Sequence, residues 1–177
     1  DQSLIADLGV QSEGVPPFTL LSLVDAPEHH RLRSVNYVRK EFPFDRIIDF
    51  KKSEQHPKRL KVGYFSADFH NHATMYLMAQ IFERHDKAQV EVYAYSYGPD
   101  KQDEMRKRLI ESVDVFHDVR ELSDMQIVEL ARSEQLDIAI DLKGFTTGTR
   151  LAPFAHGLAT VQISYLGYPG TLGADFI

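Results

Sequence analysis

The sequence predicts an α/β fold: a Rossmann-like parallel sheet covered by helices, preceded by a helical linker segment. Three observations predict it. From Leu60 onward, short runs rich in β-branched and aromatic residues alternate with stretches of helical periodicity. Such alternation calls for parallel strands buried on both faces, joined by right-handed crossovers. The chain has 177 residues, 43% of them apolar, enough for one domain with a real core and a flanking element.

The elements follow in order. Residues 1–24 contain EGVPPFTLLSL, a Gly/Pro break and a short apolar run, and are expected to dock as irregular structure. Asp25-Ala-Pro-Glu28 reads as a helix start, with Asp25 as cap, Pro27 in the first turn and Glu28 as a capping-box acid. Leu32, Val35, Val38 and Phe42 then recur at helical spacing, with Arg31, Arg33, Arg39 and Lys40 mostly on other faces, until Pro43 ends the run. Lys51–Arg59 is polar and basic and reads as a solvated linker. The domain boundary is therefore set at 1–58 for the linker segment and 59–177 for the sheet domain.

Leu60–Phe65 is the first strand and Thr74–His85 the first domain helix, with Met75, Met78, Ala79 and Phe82 on one core-packing stripe. Val90–Tyr97 is a strand by its β-branched and aromatic content. Asp103–Ser112 is a charged helix and Val115–Val119 a brief strand. Ser123 caps the next helix with Gln126 three residues on, leaving Ile127, Leu130 and Ala131 facing inward. Leu136–Leu142 is a strand, Arg150–His156 a short helix and Thr160–Tyr165 the last strand. The expected strand order is 3-2-1-4-5.

Composition narrows the function classes. The formal net charge is −6, so nothing global points to nucleic acid or an anionic membrane. There is no cysteine, which excludes disulfides and thiolate metal sites and fits a reducing, cytoplasmic setting. No apolar run approaches the roughly 20 residues that span a bilayer. The chain opens on Asp1 and stops at Ile177 after a glycine-rich loop, so it is expected to be part of a longer protein.

In such a sheet, ligands bind beyond the carboxyl ends of the strands, at the point where the strand order reverses. Three loops emerge there: Ser66–Thr74 (SADFHNHAT), Leu142–Arg150 (LKGFTTGTR) and Leu166–Gly173 (LGYPGTLG). Asp68, His70 and His72 stand two apart in the first. They read in three ways: as metal ligands of a hydrolase, as a polar strand-to-helix turn capped by Asn71 or Thr74 with exposed histidines, or as a metal-free site. In the third, a histidine and a helix N-terminus hold a polar or anionic substrate. Metal ligation needs further His, Asp or Lys donors from other strand ends, and there the loops offer only Lys143, Arg150 and at most Asp175. A dinucleotide site is disfavoured, because G-x-G-x-x-G is missing after the first strand, and no P-loop is present.

Two stretches, RLKVGYFSADFHNHATMYLM and DIAIDLKGFTTGTRLAPFAHGLATVQISYLGYPGT, resemble the amino-terminal half of the catalytic region of O-GlcNAc transferases and their SPINDLY-type relatives. The resemblance runs from about Arg59 to the end, and more loosely back through PPFTLLSL. Its S-x-D-F-x-N-H-x-T and L-G-Y-P-G-T loops lie about a hundred residues apart. It implies an inverting, metal-independent glycosyltransferase of two facing Rossmann-like domains (GT-B), with this chain as the first. It implies no cofactor beyond a nucleotide-sugar co-substrate, with UDP-GlcNAc favoured over GDP-fucose or UDP-glucose. It implies a protein acceptor modified on serine or threonine, a second catalytic domain, and helical TPR repeats ahead of the catalytic region. By position it assigns catalytic roles to His72, as general base or substrate contact, and to Asp68, as an alternative proton route. Asn71, Thr74, Leu166, Gly167 and Tyr168 become substrate-binding.

The chain departs from the family where Ala73 stands in place of a frequent proline and His70 in place of the animal enzymes' glycine. It also lacks their histidine near Pro17-Phe18. The remaining alternatives are a metal-dependent hydrolase using Asp68, His70 and His72, and a non-catalytic interaction domain.

Overall fold

The computed structural model describes residues 7–11, 14–43 and 58–177. A 3-10 turn, Phe18–Ser22, leads into helix α1, Pro27–Glu41. Then follow β1 (Leu60–Ser66), α2 (Ala73–Arg84), β2 (Val90–Ser96), α3 (Glu104–Ser112) and β3 (Val115–Asp118). The chain closes with α4 (Asp124–Ser133), β4 (Ile138–Asp141), α5 (Ala152–Ala155) and β5 (Val161–Ser164). All strand pairs are parallel and the order is β3-β2-β1-β4-β5, as expected. Element ends differ from the sequence expectation by a residue or two at most positions. The expected linker lies outside the described residues over 51–57.

Two cores flank the sheet. On one face α2 and α3 bury Met75, Met78, Phe82, Met105 and Leu109 against Val62, Tyr64, Val92 and Ala94. On the other, α4, α5 and α1 pack Ile127, Val128, Phe154 and Val38 around Phe65 and Tyr95, whose rings stack at 4.2 Å. The helices change face where the chain reverses direction after β3, as right-handed crossovers require. The reversal leaves the carboxyl ends of β1 and β4 side by side, with Phe65 paired to Asp141. Val161 and Ile163 of the edge strand β5 are largely exposed. No helix among the described residues is long and apolar enough to cross a membrane.

Two local expectations are corrected. Ala26, not Asp25, is the N-cap of α1, and no side chain caps it. Glu28 instead grips Arg31, at 2.9 Å from Nε and 2.5 Å from a terminal nitrogen. The helix entry is held by His30, whose Nε2 lies 2.7 Å from the Val24 carbonyl oxygen. Arg33, expected on an outer face, is fully buried. Its Nε donates to the Leu8 carbonyl at 2.7 Å, so α1 uses this side chain to hold the preceding residues. Val35 of α1 also lies against Gly173.

Candidate active site

The loop from β1 to α2 is built by its own polar groups. The Asp68 N–H donates to Ser66 Oγ at 3.0 Å, and the His70 N–H donates to the Asp68 carbonyl at 2.8 Å. α2 then starts on His72, an extended residue whose Nδ1 accepts the Thr74 N–H at 3.2 Å. The cap is therefore His72 rather than Asn71 or Thr74. Asn71 does another job. Its N–H donates to Asp103 Oδ2 at 2.8 Å, and its Oδ1 accepts the Met105 N–H at 3.3 Å. Asp103 itself caps α3 through the Arg106 N–H, so the two helix starts are tied together.

The charges at this edge are paired. Lys143 Nζ donates to Asp68 Oδ2 at 2.8 Å, and both side chains are nearly buried, at 5% and 11% exposure. His72 Nδ1 lies 3.5 Å from the same oxygen, with its side chain 41% exposed. Beneath them, Asp141 receives the N–H groups of Lys143 at 3.1 Å and Gly144 at 2.7 Å. Burial nevertheless pushes its carboxyl up to about 6, with those two hydrogen bonds and the Lys143 charge pulling the other way. Burial, with the Asp141 and Asp68 carboxylates nearby, raises the Tyr97 hydroxyl well above its ordinary range. Arg150 is occupied elsewhere. It donates to Asp124 Oδ1 at 2.6 Å and to the carbonyls of Val119 and Leu122, fastening the β4–α5 loop to the start of α4.

The third loop docks on the second. A Cβ on Gly167 would sit 1.8 Å from the Leu142 carbonyl oxygen, and one on Gly144 would sit 2.2 Å from Tyr168 Cβ. Only glycine permits that approach. Leu166 is held at φ +65°, a left-handed conformation that costs a leucine about 1–2 kcal/mol. The residue is 43% exposed. Tyr168 is buried, with its ring 5.2 Å from Phe145 and 6.1 Å from Phe18.

Asp68, His72, Leu166 and Gly167 thus lie on loops that meet through Lys143 and Gly144. Asn71 and Thr74 make structural hydrogen bonds at the start of α2 and α3, and Tyr168 packs in the core. Asp68, His70 and His72 do not converge on a common point. Among the described residues no three histidine, cysteine or acidic side chains could hold a metal ion. His70 is buried, with Nδ1 at 3.3 Å from the Asn71 carbonyl. Lys143 is the member that sequence reasoning did not place. The sequence offers it only as a possible ligand, and its signal is indirect: an aspartate buried at a strand end needs a cation.

The sequence profile of glycosyl transferase family 41 matches residues 31–177. The chain belongs to that family. It is 38% identical, over 120 residues, to an Arabidopsis thaliana protein described as a probable UDP-N-acetylglucosamine–peptide N-acetylglucosaminyltransferase, SEC. That match covers 68% of this chain and 12% of the relative. A Caenorhabditis elegans UDP-N-acetylglucosamine–peptide N-acetylglucosaminyltransferase is 35% identical over 126 residues, covering 71% of this chain and 11% of the relative. Among solved structures, a mutant of the Thermobaculum terrenum O-GlcNAc transferase superposes with a TM-score of 0.76 at 26% identity. It covers 99% of this chain and 32% of that one. The chain therefore spans about an eighth of the curated relatives it matches and a third of the solved one.

Proposed function

We propose that this chain supplies the acceptor-side half of a protein glycosyltransferase active site. In this reading a sugar, N-acetylglucosamine as named for the relatives, passes from its UDP donor to a serine or threonine hydroxyl with inversion and without a metal. Residues 59–177 form the first Rossmann-like catalytic domain and residues 1–58 a segment packing on it. A second catalytic domain of the same protein faces it and holds most of the nucleotide. TPR repeats recruit the acceptor, and the protein works in the cytoplasm.

The observation that carries this reading is the meeting of three loops at the carboxyl ends of β1, β4 and β5. Asp68 is joined to Lys143 at 2.8 Å, and Gly167 lies against the Leu142–Lys143 backbone. The site thus has an acid, a half-exposed histidine and a strained, exposed Leu166 on one edge. A hydroxyl attacking an anomeric carbon must shed its proton as the bond forms. In this reading the proton goes directly to His72, or to Asp68 through water. The departing diphosphate needs donors and positive charge. Here Lys143 and Arg150 are both engaged with carboxylates, so in this reading the facing domain supplies most of that charge.

The test uses the full-length protein containing this chain, incubated with UDP-N-acetylglucosamine and a protein acceptor and followed by intact-protein mass spectrometry. The expected result is addition of one sugar to the acceptor, with His72→Ala slowing turnover by about 100-fold or more. An unchanged rate in His72→Ala removes that residue from the chemistry. Failure to modify any acceptor with any nucleotide sugar favours an interaction domain.

A further inference from the structure

Of the two proton routes, the hydrogen bonding around His72 bears on the first. Nδ1 accepts the Thr74 N–H at 3.2 Å as the cap of α2. A neutral imidazole carries one proton, so with Nδ1 accepting, that proton sits on Nε2. One other group competes for Nδ1: Asp68 Oδ2, at 3.5 Å. An unopposed carboxylate there would draw the proton to Nδ1, or hold the ring as imidazolium. Lys143 opposes it, with its ammonium 2.8 Å from the same oxygen. Because both partners are nearly buried, solvent and salt screen this attraction little.

The other titratable groups around the ring do not alter this balance. His70 lies beside it with centroids 5.7 Å apart, Asp103 caps α3 and binds Asn71, and Asp141 holds the loop backbone under Lys143. The Tyr97 hydroxyl is buried, and its ionisation is opposed by Asp141 and Asp68. Among the described residues none of the four hydrogen-bonds a His72 ring nitrogen.

We propose that Lys143 is a positioning residue that fixes His72 as the Nε2–H tautomer, so that this histidine meets substrate as a hydrogen-bond donor and not as the base. A donor at that place suits an oxygen gathering negative charge, such as one on a departing diphosphate. That last step rests on the transferase reading; the tautomer does not. The direct route into His72 Nε2 is then closed, since that nitrogen is already protonated. A proton arriving at this ring must enter at Nδ1, on the Asp68 side.

The experiment is histidine-ring NMR on this chain, with long-range proton–nitrogen correlations recorded against pH and His72 assigned by its loss in His72→Gln. The wild-type chain is expected to show neutral His72 as Nε2–H. Lys143→Met, which frees the Asp68 carboxylate, is expected to move the proton of the neutral His72 ring from Nε2 to Nδ1. An Nδ1–H tautomer in the wild type overturns the proposal, as does an unchanged Nε2–H tautomer in Lys143→Met. Should Lys143→Met not fold, Asp68→Asn/Lys143→Met removes both charges. It is expected to keep the Nε2–H form, and an Nδ1–H form there overturns the role of the cap. The readout is spectroscopic, so a chain that transfers no sugar leaves this test standing.

Discussion

Asp141 is the residue on which the floor of the site rests, and it sets a pH dependence. Its carboxylate accepts two backbone N–H groups, yet burial lifts its pKa from 3.8 to about 6. Between those values the folded chain binds a proton that the unfolded chain does not. Asp141 therefore favours folding most below about pH 4, and that contribution fades as pH rises through about 6. The shift corresponds to about 3 kcal/mol. Other carboxylates act with the opposite sign, such as Asp86, held low by its hydrogen bond from Gln89. The readout is thus a difference: denaturant unfolding from pH 4 to 7 should show Asp141→Asn losing less stability, or gaining more, than the wild type. Parallel curves would show that Asp141 ionises in the fold as it does in water. The motif residues Asp68, His72, Leu166 and Gly167 could be picked out of the sequence because their types and spacing are unusual. Lys143 could not be assigned its partner, because 75 positions separate it from Asp68 and only the pairing of β1 with β4 brings them together.

At the scale of elements, local chemistry was readable wherever it is self-contained. The α4 start is such a case. Ser123 Oγ accepts the Gln126 N–H, and Gln126 Oε1 accepts the Ser123 N–H at 2.8 Å. Ser123→Ala should cost about 1 kcal/mol, read as a lower urea midpoint with an unchanged slope. No loss would mean that Arg150, bonded to Asp124 in the first turn, holds the helix end by itself. The α1 start was misread for the converse reason. Pro27 sets the first turn, and His30 reaches back to Val24, a contact that spans six residues and leaves no cap signature in Asp25. Arg33 was misplaced because its partner, the Leu8 carbonyl, is backbone and 25 residues away.

For the whole molecule, the topology was predictable because parallel strands and right-handed crossovers leave few arrangements for five strands joined by four helices. What an order of elements cannot announce is how the loops divide their labour. In the proposed reading this chain is one wall of a cleft, so donor affinity should be low when it is alone. Isothermal titration with UDP-N-acetylglucosamine should give no tight binding, and a sub-micromolar dissociation constant would place the donor pocket here instead of in a facing domain.

The clasp between Asn71 and the start of α3 has a mechanical consequence. The segment bearing His72 is bolted at both sides, to Lys143 through Asp68 and to the neighbouring helix through Asp103 and Met105. It cannot swing toward a guest without dragging two helices or breaking those ties. This edge is an anvil, and any adjustment of shape to an incoming molecule falls to whatever comes down upon it.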